Sequence, residues 1–318
     1  MNKASKILNI VIIFLIFSSF FISSVFALDS DKESKTSTYR QTLNNIIEEK
    51  EELFVNELDA YVRYMPSAGA KSQSGKIGIV DTAQEYSCEA KVFGKLPIEL
   101  GLGTEYIGIN NTTQVELPAH LTSVFFGAET TVPFFKVDKT YFTVGLAAAF
   151  PTDNWNFHSS SFRIPQRYFL IYQPNDKLTL IGGVAVIGGV AQINPNYDTV
   201  VWPILGLIYK PNDKLTYTLI PKRPEISYVI NNNLTVFCEA NMTSDEYEVT
   251  RGSEKNIILE YNSVNAGLGL KYRPNKYING SISTGGVFNR SIRYRDDNYG
   301  KVAIKDGFYT EFRVVITI

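Results

Sequence analysis

From about residue 60 onward, apolar and polar residues alternate with a period of two. Ile98, Leu100, Leu102, Thr104 and Tyr106 alternate with Glu99, Gly101, Gly103 and Glu105. Phe142, Val144, Leu146, Ala148 and Phe150 alternate in the same way with Tyr141, Thr143, Gly145 and Ala147. Later come Val264, Ala266, Leu268, Leu270 and Tyr272 against Asn265, Gly267, Gly269 and Lys271, then Ile278, Ile282 and Phe288 against Asn279, Ser281, Ser283 and Asn289. Each run predicts a strand with one apolar face and one small or polar face.

Three copies of one turn separate such runs: Tyr172-Gln173-Pro174-Asn175-Asp176-Lys177-Leu178, Tyr209-Lys210-Pro211-Asn212-Asp213-Lys214-Leu215 and the looser Tyr272-Arg273-Pro274-Asn275-Lys276-Tyr277-Ile278. Proline presets φ for a tight turn and Asn or Asp bonds its own backbone at the corner, so each copy reads as a hairpin. These short links, with those at residues 94–97 and 136–139, alternate with longer polar connections at 110–120, 151–162, 192–199, 242–256 and 290–307. Alternating short turns and long loops predict an up-and-down antiparallel meander of about 12 strands (12 to 14), the range set by the compact stretch 215–241. A leading strand at residues 60–65 makes the count even and returns both termini to the short-turn end. The last run sets Phe312, Val314, Ile316 and Ile318 against Glu311, Arg313, Val315 and Thr317, a strand suited to closing a barrel on the first one.

The first 58 residues differ. Lys3 and Lys6 precede an apolar run over residues 7–27 that ends Val25-Phe26-Ala27, which predicts a secretory signal peptide (1–27) cleaved after Ala27. Residues 28–58 form a polar linker followed by Leu43, Ile46, Ile47, Phe54 and Leu58 at helical spacing, the pattern of one short amphipathic helix. The barrel is assigned to 59–318.

Composition agrees with a β protein: among 318 residues are 19 Tyr, 20 Phe and 22 Gly. The balance of 31 basic against 32 acidic residues offers no field for nucleic acid. Cys88 and Cys238 both fall on apolar faces and read as inert thiols rather than one bridge.

The leader, the repeated Tyr-x-Pro-Asn turns and the terminal strand together resemble an uncharacterised, domain-of-unknown-function family of bacterial outer-membrane β-barrel proteins. The resemblance covers roughly residues 60–318. Such barrels end typically on an aromatic residue, where this chain has Ile318. It implies an all-β transmembrane barrel in the cell outer membrane, with the N-terminal segment periplasmic, partnered by outer-membrane lipid, by the barrel assembly machinery and, should the lumen be open rather than plugged, by small solutes. It brings no catalytic residue, cofactor or metal.

On this reading the polar-face charges Glu99, Glu105, Glu239, Glu260 and Lys271 point into the lumen, where they either pair across it or line a channel. Tyr172, Tyr209 and Tyr272 read as an aromatic girdle at one membrane interface. His158, with Ser159, Ser160, Ser161 and Asp153, brings the residue types of acyl transfer into one loop, but triads depend on geometry that adjacency does not supply. The expected function is a non-enzymatic barrel, either a passive porin-like channel or a structural surface protein. A soluble β-barrel or sandwich binding protein remains the alternative, and an outer-membrane hydrolase a weaker one.

Overall fold

A computed structural model describes residues 56–318 apart from 93–95, 136, 154, 156–160, 188–199, 222, 253 and 297–298. The expected leader and residues 28–55 of the expected amphipathic segment lie outside the described residues. Residues 56–58, given to that segment from the sequence, instead begin a strand.

The strands are β1 (Asn56–Gly69), β2 (Lys76–Val92), β3 (Leu96–Asn111), β4 (His120–Pro133), β5 (Thr140–Asp153), β6 (Gln166–Asn175), β7 (Leu178–Ile187), β8 (Val200–Tyr209), β9 (Leu215–Leu219), β10 (Glu225–Asn231), β11 (Leu234–Arg251), β12 (Glu254–Tyr272), β13 (Ile278–Tyr294), β14 (Lys301–Ala303) and β15 (Gly307–Thr317). β1 to β13 pair in chain order, β15 pairs with β13, and β15 closes the ring on β1 from Glu57↔Thr317 to Tyr64↔Thr310. Leaving aside β14, a three-residue strip on β13, the closed antiparallel barrel has fourteen strands rather than about twelve. The two uncounted strands lie in the compact stretch, where β9 and β10 are five and seven residues long and too short to print a clear alternation.

All three Tyr-x-Pro-Asn turns lie at the end of the barrel that holds Asn56 and Ile318. Each uses the same device. Asn175 Oδ1 accepts from the Lys177 N–H (3.0 Å), Asn212 Oδ1 from the Lys214 and Leu215 N–H groups (3.0 Å each), and Asn275 Oδ1 from the Tyr277 (2.8 Å) and Ile278 (3.0 Å) N–H groups. The side chain thus replaces a backbone acceptor at the corner.

At the opposite end the wall changes. β6 to β10 are short, and above them β5 and β11 meet directly, in parallel, at Glu248↔Thr152, with the Thr250 N–H donating to Asp153 Oδ2 (3.2 Å). β14 and the residues after it run between β13 and β1, tied by Lys71 N–H to Ala303 C=O and Lys305 N–H to Gly69 C=O (2.8 Å each). The fourteen-stranded ring therefore continues upward as a narrower ring of nine segments, made by the ends of β1–β5 and β11–β13 with β14. The stretch 242–256, expected to be a long loop, is the rising end of β11, a hairpin with Gly252 at φ +61°, and the descending start of β12.

The two levels have opposite polarity. Along β12 the lower outer face is Tyr272, Leu270, Leu268, Ala266 and Val264, with Leu268 68% exposed, and the lower inner face is Lys271, Gly269, Gly267, Asn265 and Ser263. Above that level the outer face becomes Asn262 and Glu260, while Tyr261, Leu259 and Ile257 are buried inside. β11 changes in step, from outer Cys238, Ala240 and Met242 to outer Ser244 and Glu246 over inner Tyr247 and Val249. On β13 a bulge at Asn289 (φ +49°) shifts the parity, so that Arg290, Ile292 and Tyr294 turn inward. Asn tolerates that left-handed conformation better than most residues with a Cβ. The upper ring is filled by Met65, Ile77, Ile79, Ile107, Leu121 and their neighbours.

Candidate functional site

The interior of the lower ring is the candidate site, and it is crossed by a continuous chain of ion pairs. Arg63 on β1 stands in register with Asp81 on β2 and Glu311 on β15, all three pointing inward. Its Nη1 donates to Asp81 Oδ2 (3.0 Å), and its Nε and Nη2 donate to Glu311 Oε2 (2.9 and 2.6 Å). Glu311 also accepts, through Oε1, from Nη2 of Arg223 (3.3 Å), and Arg223 in turn donates Nε and Nη2 to Glu239 Oε2 (3.1 and 2.9 Å). The sequence Glu239, Arg223, Glu311, Arg63, Asp81 thus links β11, the turn between β9 and β10, β15, β1 and β2. Beside it Arg313 Nε donates to Asp59 Oδ1 (2.7 Å), and the Tyr61 hydroxyl donates to Asp81 Oδ1 (3.1 Å).

β12 and β13 carry glycine on their inner faces, at Gly267, Gly269 and Gly285. A Cβ at Gly269 would lie 2.3 Å from the Phe237 ring, and one at Gly267 2.5 Å from the Tyr309 hydroxyl, so the space above these glycines is taken by neighbouring side chains. Burial differs along the chain. The side chains of Arg63, Asp81, Glu239 and Glu311 are 3–4% exposed and that of Arg223 is 33% exposed.

The wall facing these charges is apolar. Phe169, Ile171 and Ile181 form a buried inner patch with Tyr141, Ile204, Ile208 and Ile220. Ile220 and Arg223 belong to one rim turn, in which the Arg223 N–H donates to the Ile220 C=O (3.3 Å). Gly206 lies beneath Ile181 and Ile220: a Cβ there would sit 3.3 Å from Ile181 Cβ and 3.5 Å from Ile220 Cγ1. The space beside this patch reaches water: Arg167, paired with Glu129 across Gly145, has a side chain 43% exposed, and Trp202, on the inner side of β8 by register, is 56% exposed. The interior is therefore filled beneath the upper ring and accessible along β5 to β8.

The sequence profile of a family described as a domain of unknown function, DUF6268, matches residues 99–314, more than half of the chain. The chain belongs to the DUF6268 family. No curated protein matches it. Among solved structures it is similar to an outer membrane channel from Pseudomonas putida F1 (7% identity, 92% of this chain and 100% of that one, TM-score 0.47). It is also similar to a Pseudomonas aeruginosa FadL homologue (11%, 83% and 88%, 0.40) and to the NanC porin (11%, 81% and 98%, 0.39). The barrel of this DUF6268 chain rests on its own strand pairing rather than on these likenesses.

The charges singled out from the DUF6268 sequence fall in different places. Glu239 is a member of the chain of ion pairs. Glu105 faces inward and accepts from the Tyr247 hydroxyl (3.0 Å), where polar interior gives way to the apolar filling. Lys271 faces inward and donates to Glu225 Oε1 (2.6 Å), its Nζ 4.6 Å from the Phe237 ring centroid. Glu99 faces inward near the turn end, opposite Glu89 and Glu129. Glu260 does not join them: it shares the parity of Val264 and Leu268, stands on the outer face of the upper ring, and pairs there with Arg293 Nε (2.6 Å) and Arg295 Nε (3.5 Å).

Tyr172, Tyr209 and Tyr272 stand on the outer face at the turn end, 45%, 42% and 55% exposed. Cys88 and Cys238 are both free, on β2 and β11. His158, Ser159 and Ser160 lie outside the described residues. Asp153 ties β5 to β11, and His120 stacks on Tyr106 (centroids 5.5 Å apart). Sequence reasoning missed Asp59, Arg63, Asp81, Arg223, Glu311 and Arg313. Inward-parity charges of opposite sign in the first and last strands were the available signal, and only ring closure makes them partners.

Proposed function

We propose that this DUF6268 protein is a non-enzymatic outer-membrane β-barrel of restricted channel type, with its passage beside the filled upper ring rather than beneath it. The inversion of polarity carries this reading. A wall that is apolar outside and polar inside suits lipid around a wet interior, and a wall that is polar outside and apolar inside suits water around a core. The lower band of β12, from Val264 to Tyr272, rises about 20 Å at about 2.5 Å per tilted residue, close to the apolar band of outer-membrane barrels. Leu205, Leu268 and Phe308 are 78%, 68% and 76% exposed on that face, a poor arrangement for a soluble barrel or sandwich. Tyr172, Tyr209 and Tyr272 then mark the periplasmic interface, and the upper ring projects from the cell surface.

Outer-membrane fractionation with heat-modifiable migration tests the barrel, and solute-dependent swelling of liposomes holding the purified protein tests the passage. A mature chain soluble without detergent would end the membrane reading. The second reading, a purely structural surface barrel, draws on the filling of the upper ring by Ile77, Ile79, Leu121 and Leu259. Liposomes that fold the protein yet never swell would favour it.

A further inference from the structure

We propose that the water-accessible interior is a passage for small cations, narrowed by Arg223. This rests on the channel reading above and adds to it a latch and a class of solute.

Three observations converge on Arg223. It is the exposed link in an otherwise buried chain, and it supplies the bonds joining Glu239 on β11 to Glu311 on β15. Its turn sits on the rim of β9 and β10, the two shortest strands of the ring, where the wall has the fewest ladder bonds to hold it. Ile220, also inward in that turn, grips by packing on the patch around Ile181 and Ile208. One turn thus joins the apolar wall to the charged wall through two side chains, next to the space that Arg167 and Trp202 share with water. Releasing Arg223 frees the span between the walls while Arg63 still holds Asp81 and Glu311, so the ring itself stays closed.

The sign of the charge selects the solute. In the chain and its flanking pair, Asp59, Asp81, Glu239 and Glu311 face Arg63, Arg223 and Arg313, four carboxylates against three guanidinium groups. Glu105 adds a further carboxylate on the same inner face, while Glu225 is offset by Lys271. Withdrawing Arg223 exposes Glu239 and deepens the negative potential where the opening forms, and a low-dielectric wall focuses that field on passing ions.

The test is conductance across planar bilayers of the full-length mature protein, using preparations that keep heat-modifiable migration. Arg223→Ala and Arg223→Gln are expected to raise the frequency or size of conductance events several-fold over wild type. Their reversal potential in a potassium chloride gradient should fall on the cation side, and Arg223→Lys should conduct no more than wild type. Variants as quiet as wild type would overturn the latch, and an anion-side reversal potential would overturn the solute class. Failure of the wild-type chain to migrate as a folded membrane barrel is a different result, and it would remove the channel reading itself.

Discussion

Replacing Leu268 with arginine separates a lipid-facing wall from a water-facing one. Leu268 is 68% exposed on the outer face of β12, midway between Val264 and Tyr272 and so about 10 Å from either edge of the apolar band. An arginine at the midplane of a barrel's lipid face costs about 2–4 kcal/mol. That corresponds to roughly thirtyfold to a thousandfold in the folding equilibrium. In water the same exposed position would tolerate arginine within about 0.5 kcal/mol. Reversible urea unfolding from lipid vesicles measures the difference, with Asn262→Arg as control, six residues higher on the same face beyond the apolar band. The Leu268 variant should lose most of that stability and the Asn262 variant little. Equal and small losses at both positions would refute the assignment of the lower ring to lipid.

Other expectations follow from the interior. Leu259→Ala, at a fully buried site of the upper ring, should cost about 2–5 kcal/mol and make the upper loops more sensitive to protease, while the lower ring keeps heat-modifiable migration. Arg63→Met should cost about 3–5 kcal/mol in the same urea titration, because it strands Asp81 and Glu311. Arg290→Met should cost less than Arg63→Met, since Arg290 is 1% exposed and among the described residues its Nε and Nη1 have no hydrogen-bond partner, while Nη2 donates to the Lys305 carbonyl. Titration of the denatured, unreduced protein with a thiol reagent should find two thiols, Cys88 and Cys238, and a value of zero would contradict their separation on β2 and β11.

The local features were legible because each is a property of neighbours in sequence. The Asn corner of each Tyr-x-Pro-Asn turn bonds an N–H two residues on, so the hairpins and their shared end could be read directly. The inward face of β3, Glu99 to Glu105, follows from alternation within one run. The upper ring is hidden in the sequence for a related reason: above Met242 the outer residues of β11 turn polar, and a strand that is polar outside and mixed inside resembles a loop. Glu260 reads as a lumen charge only while it is taken apart from its run; its shared parity with Val264 along β12 puts it on the outer face.

The sequence by itself determined the alternation, the turn end, the terminal closing strand and the all-β class, since period-two patterning and turn chemistry act over a few residues. Only the tertiary structure decided which charges meet. Arg63 and Glu311 are 248 residues apart and become partners because the ring closes β15 on β1. The Asn289 bulge, the meeting of β5 with β11 and the bond from Arg223 to Glu311 likewise depend on contacts across the whole barrel. Those contacts fill the upper ring with apolar side chains and leave the lower interior charged, because the medium outside the wall changes along its height.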